Sequence, residues 1–149
     1  MLTPFYYQNV SRLLSIDYGA KRTGLAVTDP AQIVPGGLCT VLTKDLLKFL
    51  LDYVKREPVE RFIVGLPKQT NGQDSENLNR VRSFVGQLQK ALPDIPVTWY
   101  DERYTSVIAH QTMLDAGLGK KARQNKALVD EISATIILRD YMDSIKFKL

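Results

Sequence analysis

Three carboxylates in this chain of 149 residues stand at the edges of apolar runs, where a charged side chain is costly unless it is paired, solvated or bound to a cation. Asp17 closes the run in Ser15-Ile16-Asp17-Tyr18-Gly19, Glu102 follows Trp99-Tyr100-Asp101, and Asp130 lies in Leu128-Val129-Asp130-Glu131-Ile132. If the three converge they repel one another, and divalent cations relieve that repulsion. An all-oxygen donor set suits magnesium or manganese. Two such ions, about 4 Å apart, can activate water and stabilise the leaving oxygen of a phosphodiester. Each acid also has a plainer role available. Asp17 could be a turn residue, Glu102 a surface partner of Arg103, and Asp130 an acid favoured near a helix N-terminus, with Glu131 competing for any metal role. The shared placement of the three acids carries the argument.

Other chemistries are restricted by scarcity. Cys39 and His110 are the only cysteine and histidine, so an internal disulfide and the usual structural zinc site are excluded. A nucleophile-histidine device would have to use His110, whose spacing from Val107 and Leu114 reads instead as helix-flank packing. Catalysis therefore falls to carboxylates. The net charge is +4, from 20 Lys and Arg against 16 Asp and Glu. Four of those cations, Lys120, Lys121, Arg123 and Lys126, share a stretch without an acid and form an anion-attracting patch. With a pI near 9.2, a polyanionic partner is expected. Lys21 and Arg22, in the turn after Asp17, could meet a phosphate or form a solvated hairpin tip. Thr105 and Ser106 read as helix caps, Asn71-Gly72 as a turn, and Cys39 as a small core residue.

Positioning those groups requires one α/β domain, expected over residues 1–149 with 1–10 loosely held. Hydrophobic residues make up 44% of the chain and charged ones 24%, as in an ordinary globular protein. No basic leader or long apolar span is visible, and the single cysteine suits a reducing compartment, so a cytoplasmic protein without membrane contact is expected. Leu13 to Asp17, Gly24 to Thr28 and Leu38 to Leu42 read as a three-strand meander joined first by a tight turn. Thr43 is the expected cap of a helix carrying Leu47, Leu50, Leu51 and Val54 and stopping before Pro58. Arg61 to Gly65 reads as a buried strand. Leu78, Val81, Val85, Leu88 and Leu92 recur along one side of a helix ended by Pro93, and Val97 to Tyr100 forms the last strand. That strand, helix and strand make a parallel crossover. Helices from about Ser106 to Ala116 and from about Lys126 to Asp143 complete a mixed sheet with helices on its faces. The three acids meet if the first and fifth strands are neighbours and the last helix crosses their ends.

Four segments, Ile16-Asp17-Tyr18-Gly19-Ala20-Lys21-Arg22-Thr23-Gly24-Leu25-Ala26-Val27-Thr28-Asp29, Val64-Gly65-Leu66-Pro67, Asp101-Glu102-Arg103-Tyr104-Thr105-Ser106 and Lys126 through Leu138, together resemble the YqgF, or RuvX-like, family. The resemblance runs from about Leu13 to Met142. It implies a ribonuclease H-like fold with a five-stranded mixed sheet and a site built by Asp17, Glu102 and Asp130. It also favours Arg22, Arg103 and Thr105 around the substrate. Family members are described as nucleases of precursor 16S ribosomal RNA and, earlier, as Holliday junction resolvases. The implied activity is metal-dependent phosphodiester hydrolysis with Mg2+ or Mn2+, acting at the 5' end of the RNA precursor. Lys21, Lys120, Lys121 and Arg123 would hold the backbone by salt-sensitive contacts. Branched DNA is the alternative substrate, which calls for two sites on a homodimer. A non-catalytic RNA-binding module and a nucleotide-binding phosphotransferase are the remaining readings. The latter needs two such domains around its nucleotide, and this chain supplies one.

Overall fold

The computed structural model describes residues 11–67, 72–102, 111–117, 119–120 and 125–146, with backbone alone at 67, 72–75, 102 and 146. The first strand, β1 (Arg12–Asp17), is buried along most of its length, as its apolar run requires of a central strand. A short turn reverses the chain into β2 (Arg22–Thr28), antiparallel to β1, and β3 (Pro35–Leu42) pairs antiparallel with β2. After a 3-10 turn at Thr43–Asp45 come α1 (Leu46–Arg56), β4 (Val59–Pro67), α2 (Gly72–Ala91), β5 (Val97–Glu102) and α3 (Lys126–Lys146). Residues 111–115 are also helical. The sheet order is β3-β2-β1-β4-β5, with β4 parallel to both β1 and β5.

This order corrects one expectation, because β1 and β5 are not neighbours and β4 separates them. The α2 crossover places β5 beside the strand it follows, β4, whereas α1 carries the chain past β2 and β1 so that β4 pairs with β1 rather than with β3. Here α1 brings β4 onto β1, and α2 then brings β5 onto the outer side of β4.

Strand alternation divides the core between the two faces of the sheet. Leu14 and Ile16 face α1 and α2, packing with Leu50, Phe62, Val81 and Leu88. Leu13, Ala26 and Ile63 face α3, packing with Ala134, Ile137 and Leu138. The buried stripe of α1 is Leu46, Leu50 and Tyr53, at helical spacing, while Leu47 and Val54 only flank it and Leu51 is half-buried. Along α2, Leu78, Val81, Val85 and Leu88 are buried as their periodicity requires, Phe84 joins them, and Leu92 packs partly just beyond the helix end. Gly72 opens this helix rather than closing a turn, and Asn71 lies outside the described residues.

Thr43 does not cap α1. The Asp45 N-cap makes no side-chain capping bond, and the Thr43 hydroxyl instead donates to the Gly19 carbonyl at 2.6 Å. The Thr43 amide donates to the Lys21 carbonyl at 2.9 Å, so Thr43 fastens the start of the helical segment to the β1–β2 turn. Asn125 does cap a helix: its side-chain oxygen accepts from the Leu128 amide at 3.2 Å, which sets where α3 begins.

Candidate active site

Two of the candidate acids stand at strand ends on the edge of the sheet where β1, β4 and β5 end. Asp17 is the last residue of β1 and pairs across the ladder with Gly24 of β2, at a Cα separation of roughly 5 Å for such a pair. Alternation gives Asp17 and Gly24 the face on which Ala26 packs against α3. Gly24 lies directly beneath α3. A methyl group there would meet the Asp130 carbonyl oxygen at 2.0 Å and its carbon at 2.4 Å. The missing side chain therefore lets the helix backbone rest on the strand and sets Asp130 beside the ladder pair that contains Asp17. Two side-chain ties reinforce this seat: Ser15 Oγ donates to the Ala134 carbonyl at 2.6 Å and Thr40 Oγ1 to the Ala127 carbonyl at 2.6 Å.

Glu102 ends β5 at the same edge, paired with Pro67 of β4. It stands two residues beyond Tyr100, which is level with Gly65 and packs against Tyr141 of α3. With β4 between them, β1 and β5 are roughly 10 Å apart across the sheet. Among the described residues no three His, Cys, Asp or Glu side chains are grouped to hold a metal ion, and the Glu102 side chain lies outside that set.

Asp130 is partly buried, and burial pushes its carboxyl above the ordinary carboxylate range, against the pull of Arg22 and Lys126. Arg22 Nε donates to Asp130 Oδ2 at 3.3 Å, with the two side chains 36% and 27% exposed. The cation expected to meet substrate thus also balances one of the acids. Glu131, the competing acid, points elsewhere: its side chain lies over Gly37 of β3, where an added methyl group would meet Oε1 and the carbons behind it. Gly37 is level with Ala26 on β2, so Glu131 sits one strand further from β1 than Asp130. Lys21 is exposed in the β1–β2 turn, and Lys120 is exposed as well. Arg103, Thr105, Ser106, His110, Lys121 and Arg123 lie outside the described residues. Cys39 is half-buried in β3, unpaired, and its thiol is pushed up by burial and then by the Glu131 charge.

A family model described as "RuvX: Holliday junction resolvase" matches residues 11–144. The chain belongs to the RuvX family. A relative from Phocaeicola vulgatus with the name "Putative pre-16S rRNA nuclease" is 64% identical over 138 residues, which are 93% of this chain and 99% of that one. Among solved structures, T. thermophilus RuvC in complex with Holliday junction substrate superposes with a TM-score of 0.57 at 18% identity, covering 91% of this chain and 96% of that one. The human cytomegalovirus terminase nuclease domain, Mn soaked, gives 0.56 at 13%, covering 95% and 88%. Those structural likenesses bear on the fold, which is the ribonuclease H-like one anticipated for a RuvX-family chain. Residue-level reasoning alone missed Gly24, although a glycine inside an apolar strand is a recognised sign of close backbone approach.

Proposed function

We propose that this RuvX-family nuclease hydrolyses phosphodiester bonds of precursor 16S ribosomal RNA, at its 5' end, using a divalent cation, Mg2+ or Mn2+. The observation that carries the reading is the seating of Asp130 on Gly24, beside the Asp17 strand end. The donor chemistry fits a hard cation: Asp17, Asp130 and Glu102 offer carboxylate oxygens only. Burial already disfavours the charge on Asp130, which a cation would relieve. Asp17, Glu102 and Asp130 are the residues that would hold it. When bound, such a cation supplies activation of water and stabilisation of the leaving oxygen.

The chain's own part is placement and charge. Arg22, paired with Asp130 in this structure, would be able to turn its guanidinium to a substrate phosphate if a cation were held at that carboxylate, with Lys21 beside it just ahead of β2. Lys120, together with Lys121, Arg123, Arg103 and Thr105, would hold the flanking backbone through contacts that weaken with salt. The pre-16S rRNA in the relatives' name is the favoured substrate. The four-way DNA junction in the family description is the alternative, and it requires a homodimer. Among the described residues no helix is long and apolar enough to cross a membrane.

The test offers a precursor ribosomal RNA fragment and a four-way DNA junction to the parent and to Asp17→Asn, with magnesium or manganese. RNA cleavage by the parent and none by the variant is expected. A variant that cuts as fast as the parent, or a parent that cuts only the junction, overturns the proposal.

A further inference from the structure

On the face of the sheet opposite α3, a groove of about 510 Å³ runs between α2 and the segment from Thr43 to Leu47. Its lining is mixed: apolar surface from Leu47 and Phe84 lies among polar and cationic groups, with Lys44 on one wall and Asn79, Arg80, Ser83 and Gln87 on the other. At its inner end lies Tyr18, whose ring is 5.5 Å from that of buried Phe84 at an interplanar angle of 33°. An aromatic platform backed by the core, beside two cations and several amide and hydroxyl groups, matches what a single nucleic-acid strand requires: a surface for a base and partners for phosphates. Arg80 is held loosely, 3.8 Å from Glu76 with both side chains exposed, so a phosphate can compete for it.

The position of the groove points to its occupant. Tyr18 directly follows Asp17, and alternation sends the two side chains to opposite faces at the same edge. The wall carrying Lys44 is bonded to the turn between them and Arg22, through Thr43 to Gly19 and Lys21. We propose that this groove is a strand-binding subsite. It takes the single-stranded segment adjoining the scissile phosphate, with phosphates on Lys44 and Arg80 and a base on Tyr18. The idea rests on the nuclease reading for its substrate, because Tyr18, which lines the groove, directly follows Asp17 in the chain.

The experiment measures binding of a fluorescent ten-nucleotide RNA single strand in EDTA, where no cleavage occurs, across a salt series. Lys44→Ala/Arg80→Ala is compared with Lys55→Ala/Lys90→Ala, which removes the same charge from exposed positions later in α1 and α2. Both pairs are exposed, and a melting curve for each confirms folding. The groove pair is expected to weaken binding about tenfold and to flatten the slope of log affinity against log salt by about 1.4, two phosphate contacts' worth. The distal pair is expected to leave the slope unchanged. Equal losses in the two pairs, or an unchanged slope in the groove pair, overturn the subsite even where Asp17→Asn still abolishes cleavage. Conversely, cleavage that survives Asp17→Asn sinks the nuclease reading without touching the binding result.

Discussion

Gly24→Ala isolates the close contact that seats α3, and with it Asp130, on the sheet. Gly24 is not in the left-handed region, so alanine fits its backbone and the added methyl group acts only through space. That methyl would stand 2.0 Å from the Asp130 carbonyl oxygen, 2.4 Å from its carbon and 3.0 Å from the Glu131 nitrogen, all backbone atoms with no rotamer to yield. Opening the closest of these to the 3.4 Å of ordinary contact lifts α3 by about 1.4 Å. Overpacking of this kind costs about 1–3 kcal/mol, which lowers the melting temperature of a domain this size by about 3–10 °C. The same lift carries Asp130 away from Asp17, and a displacement near 1 Å at a reacting centre costs about 100-fold in rate. Thermal unfolding and metal-dependent RNA cleavage are measured on Gly24→Ala and on Gly36→Ala, whose methyl meets nothing within 4 Å. Gly36→Ala should melt within about 2 °C of the parent. A Gly24→Ala protein that melts and cuts like the parent refutes the seating of α3. One that is destabilised yet cuts at the parental rate refutes its link to the site.

Ser15→Ala removes the buried hydrogen bond to the Ala134 carbonyl and should cost about 1–3 kcal/mol, read as a lower midpoint in urea with an unchanged slope; an unaltered midpoint would show that water replaces the hydroxyl. Leu50→Ala, at a fully buried position between α1 and the sheet, should cost about 2–5 kcal/mol in the same titration, and a loss below about 1 kcal/mol would mean that the cavity collapses. Magnesium or manganese should raise the melting temperature of the parent with increasing concentration and leave Asp17→Asn unmoved; equal shifts in both would place the ion elsewhere. In EDTA the folded Asp130 carboxyl, with its pKa raised by burial, holds its proton more tightly than the unfolded chain does. Parental stability therefore falls as pH climbs from the ordinary carboxylate range through the raised value, and Asp130→Asn escapes that fall. The variant should melt above the parent at neutral pH and lose the advantage below about pH 4, whereas a variant less stable at every pH would give Arg22 the dominant role.

What could be read without coordinates divides along physical lines. Elements whose evidence is periodic came through: the α2 stripe from Leu78 to Leu88, the apolar run of β1 and the crossover from β4 to β5 depend on spacing that a linear chain displays. The position of β4 between β1 and β5 did not, because pairing is decided by which sheet edge each crossover docks on, and Arg61 to Gly65 carries no mark of its two partners. The carboxylates were legible as residues out of place in apolar surroundings, and Asp17 and Asp130 do lie at one end of the fold. The groups that bring them there were not, since Gly24, Ser15 and Thr40 act through contacts with a helix about a hundred residues away in the chain. Thr43 shows the same limit in miniature. Its hydroxyl satisfies the local rule for a helix cap, but a carbonyl on the β1–β2 turn lies within reach, and the long-range bond wins. That substitution couples the start of α1 to the turn bearing Lys21 and Arg22. A perturbation of Thr43 should therefore reach the substrate edge of the site, which a simple helix cap would not do.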